Sequence, residues 1–94
     1  MRNRNDGTYV MDADYMEPRF HPGEILRIDL TRTPRIGDYV VVKTVAGSRA
    51  GRLLESTGEW ISLSELKPPR TRRHIRADCR AMYLISGFSR PIHL

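Results

Sequence analysis

The run Tyr39-Val40-Val41-Val42-Lys43-Thr44-Val45 constrains the fold more than any other stretch of this chain. Most of it branches at Cβ, which restricts rotamers in a helix and packs well on a pleated sheet. Consecutive valines without polar alternation predict a strand covered on both faces. Gly37-Asp38 launches the run and Ala46-Gly47-Ser48 breaks it, so Arg49 to Leu54 is placed to return antiparallel, as in a hairpin. Upstream, Leu26, Ile28 and Leu30 alternate with Arg27 and Asp29, the period-two pattern of a strand with one buried face. Downstream, Ser56-Thr57-Gly58 marks another turn before Glu59-Trp60-Ile61-Ser62-Leu63, where Trp60 or the Ile61/Leu63 pair faces inward. A final strand is predicted over Ala81 to Gly87, carrying Met82, Tyr83, Leu84 and Ile85.

Helical periodicity is scarce. One turn fits Met16 to Phe20, with Asp14 as its N-cap and Pro18 in its first turn, and Met16 and Phe20 are expected in the core. The predicted fold is therefore all-β or β-rich, built of short, strongly curved antiparallel strands. With 94 residues and 39% hydrophobic content, the chain supports one small domain over residues 1–94 and no second. About the first nine residues are expected to form a flexible lead.

Several segments in order carry a family resemblance. Ala13-Asp14-Tyr15-Met16-Glu17-Pro18 is followed by Phe20, His21-Pro22-Gly23-Glu24, the strand Ile25-Leu26-Arg27-Ile28-Asp29, and then Gly37-Asp38 before the valines. This resembles the C-terminal domain of LexA and phage repressors, a self-cleaving serine peptidase related to type I signal peptidases. The match spans roughly Val10 to Leu54, about half the chain. The resemblance implies a LexA-like fold and a Ser-Lys dyad, yet Tyr15 stands at the serine position. The closest counterpart of the lysine strand is Ala50-Gly51-Arg52-Leu53, which puts Gly51 at the lysine position. The dyad depends on a desolvated amine taking the proton of a serine hydroxyl within hydrogen-bond reach. Gly51 has no side chain to accept a proton. A tyrosine phenol titrates at about 10 and carries its oxygen farther from the backbone, so Tyr15 is expected to overshoot the attack position and fill the cleft. No catalytic residue is assigned. A double substitution, Tyr15→Ser with Gly51→Lys, is expected to rebuild the dyad geometry without great loss of stability.

Displaced catalytic residues form a further alternative, with Lys43 on the valine strand and Ser48, Ser56, Ser62 and Ser64 nearby. Ala46-Gly47 and Ala50-Gly51 look like the bond that LexA relatives cut, but they lie downstream of the nucleophile position and are read as hairpin residues. Fourteen residues precede Tyr15 here, so no helix-turn-helix domain or cleavage-site hinge of full-length relatives is expected.

The formal charge of +5 is uneven: residues 1–65 carry −1 and residues 66–94 carry +6. Lys67, Arg70, Arg72, Arg73 and Arg76, with His74 among them, form a basic segment. Its two prolines, Pro68 and Pro69, predict an extended, exposed loop. Such a run neutralises phosphates without reading sequence, and it lacks the interleaved aromatics that stack on bases. A solvated loop, phosphate contact and docking onto an acidic protein face all remain open. The lone Cys79 excludes an internal disulfide and is read as a small buried hydrophobe in a reducing compartment. His21, His74 and His93 are too dispersed for a zinc site, so no metal and no cofactor are expected. No apolar run approaches the roughly 18 residues of a membrane span, which favours the cytoplasm.

The leading expectation is a catalytically dead, stand-alone relative of the repressor domain that works by protein association, as a homodimer or as an antirepressor bound to a repressor. Prophage origin and a place in SOS-type transcription regulation follow from the resemblance alone. Tyr83, Ile85, Phe88 and Ile92 are the candidate partner-binding residues, on the view that the last strand is an edge. Ordinary core is the alternative for these positions, and nucleic-acid binding by the 67–76 segment is the alternative function.

Overall fold

The computed structural model describes residues 1–3 and 7–90. Among them the chain forms β1 (Arg2–Asn3), β2 (Thr8–Val10), β3 (Ile25–Asp29), β4 (Tyr39–Thr44), β5 (Gly47–Ser56), β6 (Trp60–Leu66), β7 (Pro69–Ile75) and β8 (Cys79–Ser89). One 3-10 turn, Arg76–Asp78, joins β7 to β8, and no α-helix occurs among the described residues. The strands make one antiparallel sheet in the order β1-β2-β3-β8-β4-β5-β6-β7. The fold is all-β, as the strand patterns predict.

Two meanders, β1 to β3 and β4 to β7, are joined by β8. The first half of β8 pairs with β4 and the second half with β3, and Leu84 faces Val40 on one side and Asp29 on the other. The valine run behaves as predicted. Val40 and Val42 enter a cluster with Leu53, Ile61 and Leu63, while Val41 enters the opposite cluster with Tyr9, Met11, Tyr15, Met16, Phe20, Leu26 and Ala50. All three valines are fully buried, each stabilising the fold by about 2 kcal/mol relative to exposure. The 11–24 segment covers the second cluster from outside the sheet, which is why Met16 and Phe20 are buried.

Turn chemistry fixes the hairpins. Between β4 and β5, Thr44 Oγ1 donates to the Gly47 carbonyl and accepts from the Ala46 amide, with Gly47 at φ 122°. Between β5 and β6, Thr57 Oγ1 accepts the amides of Glu59 and Trp60. Ile61 and Leu63 then face inward, and half-buried Trp60 lies under the Arg73 guanidinium at 4.9 Å.

Several sequence expectations need correction. Tyr9 is buried and Thr8–Val10 pairs with β3, so residues 8–10 are sheet and not lead. Leu30 is 71% exposed because the ladder stops at Asp29. There the Asp29 carboxylate turns to accept the Thr31 amide and hydroxyl and Arg32 Nε. Asp14 closes the turn after it through its carbonyl, which accepts the Glu17 amide, while its carboxylate meets Lys67 at 3.4 Å. Ala50-Gly51 does lie in a hairpin as read, on its return strand β5, with both residues buried against neighbouring strands. Residues 69–75 are the edge strand β7, not a loop; Pro68 occupies the turn and Pro69, lacking an N–H, opens an edge where none is required. Finally, β8 is interior and not an edge.

Candidate functional site: a sealed notch beside a basic strand edge

Paired positions between β5 and β6 begin at Arg52 and Ser64, so the two strands part beyond them toward Ala50 and Leu66. Tyr15 fills this opening. Its hydroxyl accepts the Ala50 amide at 3.0 Å, and its carbonyl accepts the amides of Leu66 at 3.0 Å and Lys67 at 2.9 Å. Backbone groups freed by the parting strands are thus satisfied by one residue. The Arg49 guanidinium lies 4.1 Å from the ring centroid and seals the notch from outside. Burial raises the phenol pKa, against the lowering effect of the Ala50 hydrogen bond and of Arg49, so Tyr15 stays protonated at neutral pH.

Gly51 does not face this hydroxyl. Successive strand residues point to opposite faces, and a Cβ at Gly51 would meet Leu63 Cβ at 2.7 Å and the Ser64 carbonyl at 3.3 Å. The expectation that lysine fits here with little loss of stability is corrected: β6 occupies the space. Lys43 stands opposite Ser48 near the hairpin turn, but its side chain is in solvent rather than in the dry surroundings a Ser-Lys dyad requires. Ser62 Oγ donates to Glu55, at 3.3 Å.

Beside the notch, Glu65 is 1% exposed and gathers three arginines from two neighbouring strands. Arg49 Nε donates to Oε2 at 2.5 Å, Arg72 Nε lies 2.9 Å from Oε2 without the alignment of a hydrogen bond, and Arg70 Nε lies 3.4 Å from Oε1. Burial pushes the Glu65 carboxyl up, but Arg49 and Arg72 together bring it below the usual carboxylate range. Three cations on one anion leave two positive charges in excess. His74 Nε2 is buried beside them without a hydrogen-bond partner. Burial and the charges of Arg49 and Arg72 lower its pKa.

The other basic residues are also paired. Lys67 contacts Glu17 at 2.9 Å and Asp14 at 3.4 Å, Arg73 contacts Glu55 at 3.6 Å, and Arg76 donates to Ser56 Oγ and the Thr57 carbonyl. No protein-family model, curated protein or solved structure matches the chain.

The candidate partner residues lie elsewhere. Tyr83 and Ile85 pack against the Tyr9–Phe20 cluster, because β8 is flanked on both sides and has no free edge to offer. Phe88 is 39% exposed and meets Phe20 edge-on with ring centroids 5.5 Å apart. Ile92 and His93 lie outside the described residues. Arg19 is the functional-looking residue that the sequence reading missed. Its guanidinium sits within 4.9–5.7 Å of the Phe20, Tyr39 and Phe88 ring centroids, beside a groove of about 340 Å³. No linear spacing relates these four positions, so only the fold shows the cage. A larger cleft of about 590 Å³ is lined by Arg32, Thr33, Arg35, Asp38 and Leu84, away from Tyr15. No cluster of three His, Cys, Asp or Glu suited to a metal occurs among the described residues, and no described helix is long and apolar enough to cross a membrane.

Proposed function

We propose that this chain is a catalytically inactive relative of the LexA/phage-repressor C-terminal domain. It works in the cytoplasm as a protein-association module in phage or SOS-type transcription regulation, by homodimerising or by binding a repressor. One observation carries the reading: Tyr15, which the resemblance aligns with the attacking serine, is buried with its hydroxyl committed to the Ala50 amide. Gly51, which the resemblance aligns with the lysine, has β6 packed against it, and the Lys67 amine is held charged by Glu17 and Asp14, so neither supplies a proton acceptor. A scaffold without its reaction keeps only its surfaces to act with.

Light scattering on the protein, alone and with a repressor encoded beside it, tests the association. A dimer or a stoichiometric complex is expected, and a monomer indifferent to every such repressor would sink the reading. Incubation at alkaline pH followed by intact-mass measurement is expected to return one unchanged mass. Tyr15→Ser is expected to stay unlabelled by a fluorophosphonate, since the nearby Lys67 amine is held charged by Glu17 and Asp14 and cannot take the hydroxyl proton.

Nucleic-acid binding by Lys67, Arg70, Arg72, Arg73 and Arg76 is the second reading, favoured by the placement of Arg70, Arg72 and Arg73 on an exposed edge strand. The carboxylates already paired with most of these cations weigh against it, because a phosphate backbone must compete with Glu65, Glu55, Glu17 and Asp14.

A further inference from the structure

Among the described residues the outer side of β7 has no partner strand. It pairs with β6 over seven registered positions without a bulge, and it ends the sheet on that side. In an antiparallel ladder alternate residues of an edge strand turn their amide and carbonyl groups outward, so β7 presents a straight row of free backbone groups. Proteins guard such edges by shortness, bulges, proline or charge. Here the guard is Pro69 at one end and charge of a single sign along the rest, since Pro69–Ile75 contains Arg70, Arg72, Arg73 and His74 and no carboxylate.

That guard is selective. A second copy of β7 would bring arginine and histidine against arginine, which is destabilising across strands. An acidic strand meets the reverse situation. Arg70 and Arg72 are two residues apart and therefore share a face; their side chains are 44% and 40% exposed, and they share Glu65 with Arg49. Two positive charges on this face are unneutralised. Arg72 Nε lacks an aligned hydrogen bond and Arg70 approaches Glu65 only at 3.4 Å, so these guanidiniums have N–H groups to offer an incoming carboxylate. Carboxylates at alternate positions of an added strand would stand opposite Arg70 and Arg72, at the spacing of cross-strand pairs.

We propose that β7 accepts an extended segment of another protein as a further strand, with Asp or Glu at alternate positions lying over Arg70 and Arg72. The proposal rests on the association reading above and names the site and the partner's chemistry. The test is fluorescence anisotropy with a labelled peptide carrying glutamate at alternate positions. Three competitors accompany it: the same composition with the glutamates clustered, the same sequence with an N-methylated backbone, and single-stranded DNA of equal charge. The alternating peptide is expected to bind, with Arg70→Ala weakening it about tenfold, a loss of about 1.4 kcal/mol. Backbone NMR shifts and exchange protection should appear along 69–75. Because Arg70 lies at the rim, unchanged NMR signals elsewhere would show that its substitution leaves the fold intact.

Absence of binding overturns the proposal, and so does equal binding by the clustered or N-methylated peptides, which would mean charge without strand pairing. Tighter binding by the DNA, falling steeply with salt, overturns it in favour of phosphate contact. If the peptide fails while light scattering still shows a dimer or a repressor complex, the edge-strand site falls and the association reading stands.

Discussion

At Tyr15 the backbone carbonyl satisfies the Leu66 and Lys67 amides and the side-chain hydroxyl satisfies the Ala50 amide, so losing the hydroxyl should cost more than its area. Tyr15→Phe keeps the ring under Arg49 but leaves the Ala50 amide buried without an acceptor. A loss of about 1–3 kcal/mol is expected in urea unfolding. Glu65→Gln leaves Arg49, Arg70 and Arg72 facing one another without their shared carboxylate. Breaking a buried pair costs about 3–5 kcal/mol, and here the loss should fall at the lower end because the guanidiniums remain partly in water. His74 gives a pH signature. Its pKa is lowered in the folded state, so below about 6.5 the unfolded chain binds the proton more readily and stability declines as pH falls through that value. Thermal unfolding should show this decline between neutral pH and the onset of carboxylate titration, and His74→Gln should flatten it. An unchanged slope in that variant would show that His74 does not set it.

At the scale of single elements, β5 offers the cleanest test of packing. Gly51→Ala places a methyl against Leu63 at a separation that real side chains do not adopt, and about 1–3 kcal/mol of destabilisation is expected by denaturant titration. The legible elements were those whose pattern is local: the valines of β4, the turns at Gly47 and Thr57, and the Ile61/Leu63 face of β6. What could not be read was partnership across the sheet. Apolar content in β8 is the same whether the strand is an edge or a centre, and only the pairing with both β3 and β4 decides it. The basic segment misled for a related reason: prolines break interior strands but are tolerated at an edge, so Pro68-Pro69 predicted a loop where an edge strand forms. That Tyr15 fills a cleft was expected; its bond to Ala50 was not, because no motif couples residues so far apart. Leu30 shows the limit of alternation, since the pattern continues one residue past the ladder that gives it meaning.

For the molecule as a whole, the paired state of its cations sets its behaviour toward polyanions. Around β7 the five cations Arg49, Lys67, Arg70, Arg72 and Arg73 share four nearby carboxylates, Asp14, Glu17, Glu55 and Glu65, and Arg76 beside them donates only to neutral oxygens, so the cations outnumber the carboxylates by two. An excess of that size should give a plot of log affinity against log salt with a slope of about −2 for any nucleic acid, far shallower than a dedicated DNA binder. Anisotropy titrations over a salt series would measure it, and a slope several-fold steeper would show that the internal pairs open readily. The placement of β8 has a temporal consequence. The strand that closes the gap between β3 and β4 is synthesised after both, so a nascent chain carries two half-sheets with facing raw margins until β8 emerges from the ribosome. Assembly of this domain is accordingly a late event that waits on distant parts of the chain, and a ribosome stalled before residue 79 holds two halves with nothing to seam them.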